Sequence, residues 1–284
     1  MTMQEATYFL LNKLRAIYPD GEASQITDWV METLTGSKKA ERMLYKNADI
    51  TVKEEVQLKQ YTRRLLEHEP VQYVLNESWF CGLRFYVDKN VLIPRPETEE
   101  LVEWVITNCK FPVDQLRILD IGSGSGCIPV SLKRRIRRSE VWGCDISPEA
   151  LAVAKKNAEA LGTDVNFIQL DFLNRTSWNL LPSFDIIISN PPYIPVKNKE
   201  EMEPNVLQYE PATALFVPDN DPLIFYKAIA DLGKTHLSSS GFIYTEIHES
   251  LGEETMTIFK TAGYTSELKK DMQQKDRMIR SGLV

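Results

Sequence analysis

Two segments of the sequence combine residue types that could bind a ligand and act on it. The first, residues 120–126, reads Asp-Ile-Gly-Ser-Gly-Ser-Gly and follows a short apolar run. The second, residues 190–193, reads Asn-Pro-Pro-Tyr and follows the mostly apolar residues 185–189. Open α/β sheets bind ligands beyond the carboxyl ends of their strands, which is where both segments would lie. They are therefore candidates for one site.

The first segment predicts a cofactor site. Its glycines allow a tight turn, and the helix that should follow offers unpaired N–H groups. Nicotinamide dinucleotide sites carry G-x-G-x-x-G, whereas the spacing here is G-x-G-x-G with Asp120 in front. A carboxylate there repels a pyrophosphate but suits ammonium and sulfonium charges, which S-adenosylmethionine carries. We therefore expect S-adenosylmethionine to contact Asp120, Gly122, Ser123, Gly124, Ser125 and Gly126.

Two further strand ends predict contacts to the same cofactor. Asp145 ends the second predicted strand, where its carboxylate can accept hydrogen bonds from both ribose hydroxyls. Dinucleotide enzymes also have an acid here, so Asp145 alone does not distinguish a site for S-adenosylmethionine from one for a nicotinamide dinucleotide. Asp171 and Phe172 end the third strand, where an acid can meet the adenine amine and a ring can cover the base. Phe172 is equally compatible with simple core packing.

The second segment predicts the methylation of a planar, poorly nucleophilic nitrogen. Pro191 and Pro192 fix the backbone and remove two N–H donors, so the loop presents carbonyl oxygens and the Asn190 carboxamide. If the Asn190 side-chain oxygen and the Pro191 carbonyl accept both hydrogens of an amide, they orient the nitrogen and stabilise the charge that it gains. Tyr193 can pack on the planar group. We predict Asn190, Pro191 and Tyr193 as catalytic residues and the whole loop as the substrate site.

The surrounding pattern predicts a parallel sheet that helices cover on both faces. Short apolar strands at 117–121, 141–145, 165–170, 184–189 and 242–247 alternate with amphipathic helices at 97–107, 127–137, 148–161 and 222–237. Residues 2–74 show only helical periodicity, with breaks at 19–21, Gly36 and Pro70. Aromatic and β-branched residues around Gly82 predict a hairpin within residues 78–93.

Composition disfavours several classes of protein. The chain has 33 Lys and Arg against 40 Asp and Glu, and its net charge of -7 disfavours stable binding to nucleic acid. We interpret the basic residues 133–138 as a solvated helix face. No stretch approaches the roughly 20 apolar residues of a membrane span, so we expect a cytoplasmic protein without a membrane partner. The four cysteines and three histidines lack metal-ligand spacing, and we expect no metal.

The sequence resembles the HemK-like family of peptide-chain release factor glutamine methyltransferases. Besides the two segments above, the resemblance rests on residues 70–73, 80–85, 92–99 (Leu-Ile-Pro-Arg-Pro-Glu-Thr-Glu), 210–215 and 276–277. Asn-Pro-Pro-Tyr alone is shared with DNA adenine and rRNA guanine methyltransferases, whereas residues 93–99 are far more specific. The sequence departs from the usual pattern of the family at four places. Ser123 stands where the family commonly has Thr, and Pro129 lies in the first turn of a helix. Residues 217–221 replace a usually glycine-rich stretch, and His248 replaces a usual Gly.

This resemblance implies a Rossmann-like class I methyltransferase domain with a mostly parallel seven-stranded sheet at 95–284, a substrate-recognising helical bundle at 1–74 and a β-hairpin linker at 75–94. It implies methyl transfer from S-adenosylmethionine to the glutamine N5 of the Gly-Gly-Gln motif in class 1 release factors. By position, residues 122–126, Asp145, Phe172 and Asn190 would meet the cofactor, and residues 190–193 the glutamine.

Three alternatives stand beside this reading: an adenine-N6 or guanine-N2 nucleic-acid methyltransferase, a domain that binds S-adenosylmethionine without catalysis, and a nicotinamide oxidoreductase. The net charge argues against the nucleic-acid methyltransferase, and the intact Asn190 loop argues against a domain without catalysis. The glycine spacing argues against the nicotinamide oxidoreductase.

Overall fold

The computed structural model describes residues 1–109 and 116–283, and the chain divides into two compact units, Met1–Glu77 and Ser78–Val284. The first unit contains the helices α1 (Met3–Leu14), α2 (Asp20–Thr35), α3 (Lys39–Leu44), α4 (Val52–Leu66) and α5 (Val71–Leu75). Gly36 ends α2 with a φ of 68°, a left-handed conformation that suits glycine, so the predicted break there is confirmed. Leu10, Val30 and Leu58 meet in the core of this unit.

The second unit begins with a short hairpin and continues as alternating strands and helices. Its elements are β1 (Ser78–Phe80), β2 (Leu83–Phe85), α6 (Pro96–Asn108), β3 (Arg117–Ile121), α7 (Cys127–Arg135), β4 (Glu140–Asp145), α8 (Pro148–Ala160), β5 (Asn166–Gln169), β6 (Phe184–Ser189), β7 (Ile194–Pro195), α9 (Pro204–Tyr209), α10 (Ala212–Leu215), β8 (Phe216–Val217), α11 (Ile224–His236), β9 (Leu237–Glu246), α12 (Gly252–Thr261), β10 (Tyr264–Lys270) and β11 (Asp276–Leu283). Two 3₁₀ helices, Arg175–Leu180 and Val196–Glu201, complete the set.

Seven of these strands form one sheet in the order β10-β11-β9-β6-β3-β4-β5. The five strands from β9 to β5 are parallel, and β11 runs antiparallel to both of its neighbours. Ile187 of β6 packs on one face of the sheet, whereas Ile186 and Ile188 pack on the other. Successive side chains of a strand alternate between faces, so a strand that is buried on both sides reads as a continuous apolar run. The expected mostly parallel, seven-stranded α/β fold is confirmed.

Two of the differences between the structure and the predicted elements have a clear cause in the sequence. The hairpin ends at Phe85, and residues 86–95 continue without a strand; Pro94 has no N–H to donate to a ladder. β9 begins at Leu237 instead of residue 242 and pairs with Phe184 at that point. The polar residues 238–241 concealed this start, because strand prediction depends on apolar periodicity.

Candidate active site

A cavity of about 300 Å³ lies at the carboxyl ends of four parallel strands. Its wall includes residues that end or follow β3, β4, β5 and β6 in turn: Gly122, Gly124, Asp145, Asp171, Phe172, Asn190, Pro191 and Pro192. Parallel strands place these ends at one edge of the sheet. The structure therefore brings together residues from both predicted segments, although 63 residues lie between them in the sequence.

The three glycines of the turn after β3 have different surroundings. Gly122, Gly124 and Gly126 have φ values of 76°, 51° and 78°, which other residues rarely adopt. A Cβ atom added to Gly122 or Gly124 would meet nothing within 4 Å, whereas one on Gly126 would lie 3.0 Å from the Cβ of Ala154. The first two glycines therefore leave room for a ligand, and the third allows α8 to pack closely.

The Asp145 carboxylate is held by two backbone donors. Gly124 N–H donates to its Oδ2 at 2.9 Å, and Ser147 N–H donates to its Oδ1 at 3.0 Å. Burial raises the pKa of Asp145, and these backbone hydrogen bonds oppose that rise. Both oxygens keep lone pairs that a hydroxyl-bearing ligand could use.

Phe172 belongs both to the cavity wall and to the core. Its ring is 5% exposed and stacks on Trp178 at a centroid distance of 5.7 Å, and Trp178 Nε1–H donates to the Phe172 carbonyl at 2.9 Å. The ring is thereby fixed as an apolar surface beside the cavity. Asp171 is exposed, and its Oδ1 accepts the Leu173 N–H at 3.1 Å.

Other predicted cofactor residues, in the turn or just before it, are not part of the described cavity wall. Ser123 and Ser125 are buried, and Asp120 is completely buried. Ile121 faces the cavity, so strand alternation turns Asp120 to the opposite face of β3. Within the described chain, neither Asp120 carboxylate oxygen has a hydrogen-bond partner, and burial raises its pKa to about 7. A direct contact between Asp120 and the cofactor stays a prediction.

The Asn-Pro-Pro-Tyr loop is connected to two residues for which sequence reasoning predicted no role. Asn190 Nδ2 donates to the Thr98 hydroxyl at 3.0 Å, and that hydroxyl donates to Glu246 Oε2 at 2.6 Å. The Tyr193 hydroxyl donates to the other Glu246 oxygen, Oε1, at 3.4 Å. Burial raises the pKa of Tyr193, and the charge of Glu246 adds to that rise. Thr98 lies in the diagnostic run 92–99 and Glu246 ends β9, which are the signals that could have indicated them.

A second segment that sequence reasoning missed is the stretch that leads from the hairpin to α6. Asn90, Val91 and Leu92 form part of the cavity wall. Just beyond them, the buried carboxylate of Glu210 accepts the Ile93 N–H at 3.2 Å and forms an ion pair with Arg95 at 2.5 Å. Glu210 therefore holds this stretch against the chain that follows the Asn-Pro-Pro-Tyr loop.

Within residues 1–109 and 116–283, no cluster of His, Cys, Asp or Glu has the arrangement of a metal site. None of the helices described there is both long and apolar enough to cross a bilayer. Of the cysteines, Cys127 and Cys144 are buried, whereas Cys81 and Cys109 are only partly buried.

Comparison with known proteins places this geometry in a family. Residues 99–209 match the methyltransferase small domain, and residues 9–75 match the PrmC N-terminal domain. The chain is 42% identical to a release factor glutamine methyltransferase of Flavobacterium psychrophilum, with 94% of each chain covered. It is 38% identical to the protein of that name from Bacteroides thetaiotaomicron, with 98% of this chain and 99% of that protein covered. A crystal structure of a Pyrococcus furiosus methyltransferase has the same fold, with a TM-score of 0.51, 16% identity, and coverage of 80% of this chain and all of the other. The chain belongs to the family of release factor glutamine methyltransferases.

Proposed function

We propose that the protein transfers a methyl group from S-adenosylmethionine to the side-chain amide nitrogen, N5, of the glutamine in the Gly-Gly-Gln motif of class 1 release factors. The observation that carries this proposal is the orientation of Asn190. Its Nδ2 donates to Thr98, and no described residue donates to its Oδ1. Asn190 also borders the cavity, so its side-chain oxygen is available to accept an N–H from a substrate amide there.

The residues around the cavity fit this cofactor. Open space beside Gly122 and Gly124 allows a ligand to approach the backbone, and Asp145 offers charged acceptors for ribose hydroxyls. Phe172 supplies an apolar face for a base. The cavity volume of about 300 Å³ is at the lower end of the range for small-ligand sites. The Asp120 carboxyl has no hydrogen-bond partner among the described residues, and a cationic ligand bound near the turn would favour its ionised form.

When bound, the cofactor supplies an electrophilic methyl group on a sulfonium. The chain's own residues prepare the nitrogen that receives it. The Asn190 side-chain oxygen and the Pro191 carbonyl accept the two amide hydrogens, which aligns the nitrogen and stabilises its developing positive charge. Once methylated, the nitrogen releases one of these two hydrogens to water as a proton, which leaves a neutral secondary amide. The relatives named release factor glutamine methyltransferase support glutamine as the acceptor.

The proposal assigns the helical unit, Met1–Glu77, to recognition of the folded release factor, because the predicted cofactor and catalytic residues all lie in the second unit. Release factors work on ribosomes, so the proposal puts the enzyme in the cytoplasm, without a membrane or a stable nucleic-acid partner.

The test is methyl transfer from labelled S-adenosylmethionine to a purified class 1 release factor. We expect one label per release factor, located by peptide mass spectrometry on the glutamine of Gly-Gly-Gln. A release factor with Ala at that glutamine is the control and should stay unlabelled. Label on added DNA or rRNA, with none on the release factor, would contradict the proposal and support the nucleic-acid alternative.

A further inference from the structure

A single buried carboxylate connects both polar side chains of the Asn-Pro-Pro-Tyr loop. Glu246 is 2% exposed, and its two oxygens have different partners: Oε2 accepts from Thr98, and Oε1 accepts from Tyr193. The Tyr226 hydroxyl donates to the backbone carbonyl of Glu246 at 3.1 Å. Glu246 is therefore fixed at its backbone and at both ends of its carboxylate.

The donors and acceptors in this chain of contacts determine how the carboxamide is oriented. An ionised carboxylate can only accept hydrogen bonds, so Thr98 must donate its one hydroxyl hydrogen to Glu246. The Thr98 oxygen can then only accept, and it must receive a hydrogen from Asn190 Nδ2. The Asn190 Oδ1 is consequently the atom left for a substrate. A carboxamide turned by 180° would present N–H groups to the substrate amide and leave one of the two amide hydrogens without an acceptor.

We infer that Thr98 and Glu246 are positioning residues for methyl transfer: the Glu246–Thr98–Asn190 relay holds the Asn190 oxygen toward the reacting amide. This inference rests on the proposed function, and it concerns residues that do not touch the substrate. Thr98 is 3% exposed and lies on α6, far from the loop in sequence, so the relay also joins α6 to the carboxyl ends of β6 and β9.

The test compares Thr98→Val with Thr98→Ser. Val has nearly the shape of Thr but lacks the hydroxyl, so the carboxamide loses the contact that fixes its orientation. We expect kcat on the release factor to fall roughly tenfold or more, as for the loss of one oriented hydrogen bond, with KM and the cofactor Kd nearly unchanged. Ser keeps the hydroxyl and should restore most of kcat.

The matched control is Thr107→Val in the same helix. Among the described residues, the Thr107 hydroxyl donates only to backbone carbonyls within α6, at 2.9 Å and 3.2 Å, and Thr107 is exposed. This variant should keep the wild-type kcat.

A double-mutant cycle separates the relay from a general effect on folding. In an Asn190→Ala background, Thr98→Val should reduce the residual rate less than twofold, because the group that it orients is gone. An equal loss in both backgrounds, or a wild-type kcat for Thr98→Val, would overturn the inference. If the wild-type protein methylates no release factor, the proposed function is wrong. The comparison of variants tests the relay separately, because it requires an active wild-type protein.

Discussion

Asp145 at the end of β4 accepts a hydrogen bond of 2.9 Å from the backbone N–H of Gly124, in the turn that follows β3. This bond joins the ends of two adjacent strands through a side chain that also borders the cavity. The Ser147 N–H fixes the other oxygen of the same carboxylate. The backbone therefore orients Asp145 before any ligand binds, so that less side-chain conformational entropy is lost on binding.

Replacing Asp145 with Ala should weaken S-adenosylmethionine binding. The expected loss is roughly 1.5–3 kcal/mol for one hydrogen bond to a charged acceptor. Titration calorimetry measures it directly, and Asp145→Asn, which keeps one acceptor oxygen, should lose less. If the Ala variant is folded and binds the cofactor with wild-type affinity, Asp145 is not a ribose ligand.

Asn190→Ala should separate binding from chemistry. The oriented oxygen acts on the reacting nitrogen, so we expect kcat to fall on the order of 10²-fold, the scale found when one preorganised hydrogen-bonding group is removed from an active site. Cofactor affinity should be largely retained. Single-turnover methylation with saturating cofactor is the measurement, and a near-normal rate would refute the catalytic role of the loop.

The rate should depend on the ionisation of Glu246. Burial raises the pKa of Glu246 to about 7, and the charge of Glu97 adds to this rise. Contacts with Thr98, Arg277 and Tyr193 oppose the rise. Protonated Glu246 can donate to Thr98, which would then donate to Asn190 and reverse the carboxamide. Only the ionised form supports the productive orientation, so kcat should rise as the pH increases through about 7.

The control for this pH dependence is Glu246→Gln. A carboxamide at this position does not titrate, and its oxygen can still accept from Thr98, so the rise near pH 7 should disappear from the kcat profile. If the variant shows the same rise as the wild type, another group is responsible for it.

Removing residues 1–77 should affect the intact release factor more than a short Gly-Gly-Gln peptide. The helical unit has its own core and can add binding energy only to a substrate that is large enough to reach it. We expect kcat/KM for the intact factor to fall, with cofactor affinity and the slow peptide reaction nearly unchanged, once circular dichroism shows that the truncated protein is folded. An equal loss on both substrates would indicate that the helical unit only supports the catalytic unit.

The sequence predicted the parts of the site that depend on local chain geometry. The glycine spacing, Asp145 and the proline-rich loop are each readable because they follow apolar strands directly, and the sheet then brings their positions together. Phe172 shows the limit of this reasoning, since local pattern could not reveal that one ring serves both the core and the cavity.

Contacts between distant segments could not be predicted in this way. Thr98 and Glu246 are 148 positions apart, and Arg95 and Glu210 are 115 apart. Each pair depends on where a helix or loop packs against the sheet, which neither periodicity nor spacing specifies. Asp120 is a related case, because its position before the turn did not reveal that its side chain is buried on the face of β3 opposite to Ile121.

The position of β11 in the sheet has a consequence for synthesis of the protein. β11 (Asp276–Leu283) lies between β9 and β10, so β10 pairs with the sheet only through a strand that the ribosome makes later. The helical unit can fold as soon as it emerges, since chains are made from the N-terminus and domains fold as units. The sheet, in contrast, keeps the edge of β9 open until residues 276–283 have left the exit tunnel. An open strand edge can pair with another chain, so nascent chains that pause before residue 276 should be the form of this protein that most needs a chaperone.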